Sequence, residues 1–206
     1  MDTKQRTKRL SELLGQLLEK THDKNMTLGI FIKGVGSQAQ ALFSLIFSVP
    51  FLVLVSLPGI STFFGLIILF FGIRLAIGKE AWIPKRLQTV SIGGPRFYKI
   101  FSAVCKLVTW MEKLTRPRWA WVFSWPFSNT LQGILLAING LCLALPLPPG
   151  TNLPPAVAAA TLSMGILEKD GLWVLLGYFF FITNAAFFLA LFWFGKHILG
   201  FLLLSS

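Results

Sequence analysis

Two long parts of the chain carry no charged side chain, and each is interrupted by turn residues. The first covers residues 34–73 and contains Leu57-Pro58-Gly59, and the second covers residues 119–167 and contains Pro148-Pro149-Gly150. Both are longer than the roughly 20 apolar residues of one transmembrane helix, and Pro-Gly is a strong turn signal. Each part therefore predicts a hairpin of two apolar helices.

A fifth apolar helix is predicted over residues 172–194, after the charged cluster Glu168-Lys169-Asp170-Gly171. Of all the segments, it most clearly predicts a single transmembrane helix. The helices of the first hairpin are each about 17 residues and about 25 Å long, which is short for a hydrocarbon core of about 30 Å. Two arrangements of this hairpin are therefore possible: two short transmembrane helices, or a re-entrant hairpin that enters and leaves on the same side. The predicted hairpin helices cover residues 41–57, 61–77, 130–145 and 156–165.

Two further segments are amphipathic. Within residues 1–35, leucines recur at helical spacing among basic side chains, and within residues 97–118 apolar side chains step by three and four between lysines. Gly93-Gly94-Pro95 marks the start of the second segment and Arg116-Pro117 its end. Both predict helices at the membrane surface, although the first equally fits a helix packed on the rest of the protein.

The composition excludes an ordinary water-soluble domain. Hydrophobic residues make up 54% of the chain and charged residues only 13%, too few for a charged surface. The net charge is +11, and the bases flank apolar segments, which favours a lipid bilayer with anionic headgroups over nucleic acid. The positive-inside rule places the basic segments in the cytoplasm. Candidate headgroup ligands are Lys85, Arg86, Arg96, Lys99, Lys106 and Lys113.

The sequence thus predicts an all-α integral membrane protein with about five to six hydrophobic helices and basic amphipathic interfacial helices. One membrane domain covers residues 1–206. Its parts are the N-terminal amphipathic region 1–35, the first hairpin with its basic loop 36–96, the interfacial helix 97–118, and the second hairpin with the C-terminal transmembrane helix 119–206.

The two hairpins align at a shift of 91 residues, which places Pro58-Gly59 on Pro149-Gly150 and Trp82 on Trp173. Paired broken helices in two halves of a membrane protein are typical of transporter repeats. The alignment predicts a duplicated hairpin, either inverted or parallel. The alternative is two ordinary hairpins in a leucine-rich chain.

The turns carry the first candidate site. Broken helices at membrane depth persist only where they are buried in protein or line a wet cavity. Free carbonyls there suit a cation, whereas helix N-termini suit an anion such as phosphate; simple capping by Ser, Thr and Asn is the structural alternative. The candidate binding residues are Pro58, Gly59, Ser61, Thr62, Pro149, Gly150, Thr151 and Asn152.

Arg74 lies among apolar residues in the sequence, and an unpaired charge is costly in apolar surroundings. Glu168 and Asp170 occupy a similar place in the second half, so they are candidate partners of Arg74 or proton-carrying groups. The alternative places all three at the headgroup boundary. No catalytic triad, phosphate loop or zinc signature is present, and two isolated cysteines form no metal spacing. The sequence therefore predicts neither an enzyme nor a cofactor.

Several of these runs together resemble the ExoD family. They are Leu57-Pro58-Gly59, Ile83-Pro84-Lys85-Arg86-Leu87, Pro148-Pro149-Gly150-Thr151-Asn152-Leu153-Pro154 and Gly165-Ile166-Leu167-Glu168-Lys169-Asp170-Gly171-Leu172. The resemblance implies a multi-pass protein of the bacterial inner membrane with a link to exopolysaccharide synthesis and alkaline tolerance. It supplies no catalytic residues; the turn residues with Glu168 and Asp170 are the positions to transfer.

Three functions follow as expectations. The first is a small cation or proton transporter with a midplane site at the two turns, and its small size favours a homodimer. The second is binding or translocation of a polyprenyl phosphate or another anionic lipid. The third is an accessory scaffold that docks polysaccharide-assembly proteins without transport.

Overall fold

The computed structural model describes residues 38–52, 59–82, 88–89, 95–115, 117–146 and 150–204, with the single positions 15, 27, 29, 32 and 35. Over these residues the chain is helical, which confirms the predicted all-α class. The described helices are α1 (Ala39–Leu52), α2 (Ile60–Ala76), α3 (Pro95–Leu114), α4 (Trp121–Ser124), α5 (Ser128–Ala144), α6 (Leu153–Glu168) and α7 (Gly171–Leu204).

The four hairpin helices are α1, α2, α5 and α6, and their ends lie within three residues of the predicted ones, except that the described part of α1 stops at Leu52. Proline and glycine set these ends. Gly59 directly precedes α2 at φ 88° and Gly150 lies at φ 97° in the turn before α6, a backbone conformation that glycine adopts without steric cost.

Helices α2 and α5 make the closest contact in the bundle, and four glycines form it. A Cβ atom on Gly65 would lie 2.6 Å from the carbonyl oxygen of Gly140, and one on Gly140 would lie 2.8 Å from that of Gly65. Gly72 and Gly133 face each other in the same way. Small residues allow such backbone approach between apolar helices. The start of α2 therefore lies beside the end of α5, and the two helices are antiparallel.

Helix α1 packs on α6 through side chains instead. Leu42 and Leu45 of α1 share a buried cluster with Ala160 and Met164 of α6, and Met111 of α3 closes it. The described positions Ile32 and Val35, just before α1, join the same cluster. The rest of the predicted amphipathic region 1–35 lies largely outside the described residues.

Helix α7 runs antiparallel to α6. Gly165 contacts Val174, and Gly177 contacts Leu162 further along. Among the described residues, Gly171–Phe194 is the helical segment long and apolar enough to cross a membrane, with a mean hydropathy of 2.1 and only 22% of it buried. The predicted end at residue 194 is wrong, since α7 continues through Lys196 and His197 to Leu204. Lysine is a good helix former and does not stop a helix.

The two hairpins point the same way. Because α2 and α5 are antiparallel and lie side by side, the turn before α2 and the turn after α5 lie at one end of the bundle, here called the tip end. The opposite end, where α6 turns into α7, is called the base. An inverted repeat would place the turns at opposite ends, so of the two orientations that the sequence left open, this arrangement fits the parallel one. The duplication itself stays a prediction.

The outer surface of the bundle is apolar over most of its height. Large aliphatic and aromatic side chains are exposed on α2, on α5 and on α7, and they form continuous stripes along these helices. Soluble monomers rarely expose apolar areas of this extent. The exposed residues include Phe63, Leu66, Phe70, Ile73, Ile134, Ile138, Leu141, Phe179, Ile182, Leu189 and Phe192.

Candidate functional site

The tip end holds most of the predicted turn residues. Gly59 and Gly150 are exposed there, whereas Ser61, Thr151 and Asn152 are buried. Thr62 is half-buried. Pro58 and Pro149 lie outside the described residues. The two turns thus share one end of the molecule, as a common site requires.

The chemistry of the tip end is neutral. Asn152 is the N-cap residue of α6, yet its side chain makes no capping hydrogen bond, so simple capping does not explain its burial. By sequence, residues 53–62 and 145–152 contain no ionisable side chain. The tips offer helix dipoles, hydroxyls and an amide. They carry no group that takes up or releases a proton near neutral pH.

Arg74 pairs with no acid among the residues that the structure describes. Its Nε and Nη2 donate hydrogen bonds to the carbonyl oxygen of Glu80 at 2.9 and 2.6 Å, and its guanidinium lies 5.8 Å from the ring centroid of Phe70. The predicted partnership with Glu168 or Asp170 is therefore replaced by a local bond that fixes the chain after α2. This position, at the last turn of α2, fits the boundary alternative.

Asp170 has a structural role at the base. Its Oδ1 accepts a hydrogen bond from the backbone N–H of Leu172 at 3.0 Å, which caps the start of α7. The backbone N–H of Asp170 donates to the carbonyl of Gly165 at 3.0 Å. Helix α6, with Glu168 as its last residue, has 16 residues and separates these acids from the tips by about 24 Å. The predicted site residues therefore fall into two groups.

Most of the described basic residues lie toward the base. Of the predicted headgroup ligands, Lys106 and Lys113 are exposed on α3. Met111 of α3 belongs to the same buried cluster as Ala39 at the start of α1 and Leu167 near the end of α6, which places this part of α3 toward the base. Arg96 and Lys99 also lie on α3, with side chains outside the described set, and Lys85 and Arg86 lie outside the described residues. Exposed bases that the sequence analysis did not single out add to this end: Lys79, Arg118 and Lys169. Arg118 is placed there by its carbonyl, which accepts from the N–H of Gly171 at 2.8 Å.

Buried amides inside the bundle were missed from sequence. Asn184 of α7 donates from Nδ2 to the Oδ1 of Asn139 on α5 at 3.0 Å, and both side chains are at most 1% exposed. Gln132, seven residues before Asn139 and so on a similar face of α5, donates to the Oγ of Ser128 at 2.8 Å. Uncharged polar residues within apolar helices are the signal that would have found them.

Comparison with known proteins identifies the family. The family model described as "Exopolysaccharide synthesis, ExoD" matches residues 10–190. The chain belongs to the ExoD family. Protein ExoD of Rhizobium meliloti (strain 1021) is 29% identical over 184 residues, covering 88% of this chain and 77% of that protein. An uncharacterized protein of Synechocystis sp. (strain ATCC 27184 / PCC 6803 / Kazusa) is 30% identical over 128 residues, covering 62% of this chain and 60% of that protein.

No solved structure is significantly similar to this ExoD-family chain. The family match confirms the resemblance noted from the turn and Leu-Glu-Lys-Asp-Gly-Leu runs, and it connects the chain with exopolysaccharide synthesis.

Proposed function

We propose that this ExoD-family protein is embedded in a membrane with its base at one surface and that it binds anionic, phosphorylated lipids there in support of exopolysaccharide synthesis. The observation that carries the proposal is that the basic and the apolar parts of the protein surface lie in different places. The described cations of the hairpins and α3 gather at the base, whereas the sides of α2, α5 and α7 are apolar. A lipid headgroup and its acyl chains match these two surfaces.

The hairpins are re-entrant in this proposal. The apolar segment Gly171–Phe194 has 24 residues and measures about 36 Å, whereas the 16 residues of α6 measure about 24 Å. Helix α6 ends at the base and α7 begins there, because Gly165 lies against Val174. The tips then stop about 12 Å short of the far end of α7's apolar segment. Under the positive-inside rule the base faces the cytoplasm.

The distribution of acids favours lipid binding over cation or proton transport. A proton-coupled carrier needs a titratable group at its central site. The tip segments contain none, and Asp170 is engaged in capping α7 at the base. The exposed Lys106 and Lys113 on α3, by contrast, each add attraction for an anionic surface of about 1 kcal/mol.

The test measures retention of undecaprenyl phosphate by native mass spectrometry of the protein released from nanodiscs, with phosphatidylcholine as the neutral reference lipid. We expect selective retention of the phosphorylated lipid. Lys106→Glu and Lys113→Glu should each weaken it about five-fold or more, since removing one cation near an anionic surface loses about 1 kcal/mol.

Lys196→Glu is the matched control, because Lys196 is exposed near the far end of α7, well away from the base. It reverses the same charge and should leave retention unchanged. Equal loss in all three variants would show a nonspecific charge effect and contradict the assignment to the base. A folded protein that retains no anionic lipid at all but co-purifies with polysaccharide-assembly enzymes would replace this proposal with the scaffold function.

A further inference from the structure

A pocket lies at the base between the short helix α4, the first turns of α5 and the first turns of α7. Its volume is about 570 Å³, which lies in the range of small-molecule sites. Trp121 and Trp125 of the α4 segment form one wall, and Leu131 and Leu175 form the apolar floor. Within the described part of the chain, all of its lining residues are uncharged. The chemistry of the lining therefore favours a neutral ligand with an apolar face.

The polar side of the pocket is a small hydrogen-bond network. Ser128 and Tyr178 line the pocket, and Gln132 lies behind them, with its Nε2 donating to the Oγ of Ser128 at 2.8 Å and its amide beside the phenol of Tyr178. The Oγ of Ser128 already accepts from Gln132, so its hydroxyl hydrogen remains available to a ligand oxygen. Gln132 is 1% exposed, and its Oε1 has no hydrogen-bond partner.

An unpartnered buried acceptor is costly unless another molecule or a local rearrangement satisfies it. A ligand hydroxyl that bonds Ser128 and Tyr178 can reorient these two groups and so complete the network around Gln132. A bare acyl chain offers no hydroxyl. An anion would find no cation among the lining residues that the structure describes. A ring with hydroxyls on its rim and C–H groups on its face suits both sides of the pocket. Its C–H face can pack against a tryptophan, and its hydroxyls can bond the polar side chains.

We propose that this pocket binds the neutral sugar ring of a saccharide, stacked on Trp121 or Trp125 and hydrogen-bonded through its hydroxyls to Ser128 and Tyr178. Gln132 is a positioning residue in this site. The ring belongs either to a glycolipid headgroup or to a free saccharide, and the test separates the two. The site goes beyond the proposed anionic lipid binding, since it involves no charged group.

The experiment follows tryptophan emission of the protein in phosphatidylcholine nanodiscs. In one arm, nanodiscs contain a rising fraction of glucosyl-diacylglycerol; in the other, free maltose is added. We expect a saturable change in at least one arm, and the responding arm identifies the source. Tyr178→Phe keeps the ring but removes the hydroxyl, and it should weaken apparent affinity about ten-fold. Trp121→Leu should do the same, and its exposed position makes misfolding of this variant unexpected.

The control is Trp110→Leu, which changes an exposed tryptophan on α3 that is not among the described lining residues. It should bind as the unchanged protein does. Gln132→Met should weaken binding while the thermal midpoint stays close to that of the control. No saturable change in either arm, an equal response to unglycosylated diacylglycerol, or full binding by both Tyr178→Phe and Trp121→Leu would overturn the proposal. All probes carry no net charge, so the result of this experiment does not depend on whether the protein binds anionic lipids.

Discussion

Single polar side chains inside the bundle differ in whether they are paired. Asn139 and Asn184 form a buried bond between α5 and α7, while the hydroxyls of Ser44 on α1 and Ser163 on α6 are fully buried without a partner. Hydrogen bonds between helices in membranes contribute on average about 0.6 kcal/mol. Removing one partner also leaves the other unsatisfied. The two kinds of residue should therefore respond oppositely to truncation.

We expect Asn184→Leu to lower the free energy of unfolding by about 0.5–2 kcal/mol, because the Oδ1 of Asn139 loses its donor. Ser163→Ala should leave stability unchanged or raise it slightly, since it removes a buried hydroxyl that makes no bond. Unfolding in sodium dodecyl sulfate, followed by circular dichroism, measures both. Similar losses in the two variants would show that side-chain volume rather than the amide bond stabilises this contact.

Residue types alone predicted where polar groups gather but not how they pair. The hydroxyls and amide after each turn were identified from spacing, and they do lie at one end of the bundle. Arg74 was assigned to an acid, yet it bonds the Glu80 carbonyl six residues away. A backbone carbonyl also accepts hydrogen bonds from a guanidinium, and the sequence does not show whether a carbonyl or a carboxylate lies closer.

At the scale of helices, the glycine contact between α2 and α5 is the feature that sets the architecture. The helix bounds were predictable because proline and glycine mark them. The pairing of Gly65 with Gly140 was not, because periodicity shows which face of a helix is small or apolar and not which partner covers it. The far end of α7 was also missed, since a charged pair in the chain does not by itself end a helix.

Gly72→Val should destabilise the protein by about 1–3 kcal/mol, because the new side chain would overlap the backbone of Ala137 on α5. The expected result is a lower midpoint of unfolding in detergent, measured by circular dichroism. Ile138→Ala is the control on the facing helix: it removes a large side chain that is exposed, so the midpoint should change little. An unchanged midpoint for Gly72→Val would mean that α2 and α5 do not touch through backbone.

At the scale of the whole molecule, the composition predicted the apolar exterior, and the pair of Pro-Gly turns predicted two hairpins. Their relative direction needed three-dimensional contacts, because parallel and inverted repeats share the same hydropathy profile. Under the proposed function, the depth of the tips in the bilayer is inferred by comparing the lengths of α6 and α7. This comparison favours the re-entrant alternative that the short helices left open.

Cysteine labelling tests that depth. In a variant with Cys105→Ser and Cys142→Ala, single cysteines are placed at Lys79, Ile60 and Lys196, all exposed on the protein surface. A membrane-impermeant maleimide should label Lys79→Cys from one face of sealed vesicles and Lys196→Cys from the other. Ile60→Cys should react from neither face, since the tip lies in the hydrocarbon layer. Labelling of Ile60→Cys together with Lys196→Cys would establish full crossings and contradict the re-entrant arrangement.

The backbone contact between α2 and α5 also decides which motions the bundle allows. Backbone atoms of the facing helix occupy the space that a side chain would take at Gly65, Gly72, Gly133 and Gly140. These two helices therefore have no room to slide or rotate past each other, and they behave as one rigid unit. A rearrangement of the bundle would therefore have to take place at other contacts, such as the one between α1 and α6, where larger side chains with rotameric freedom pack together.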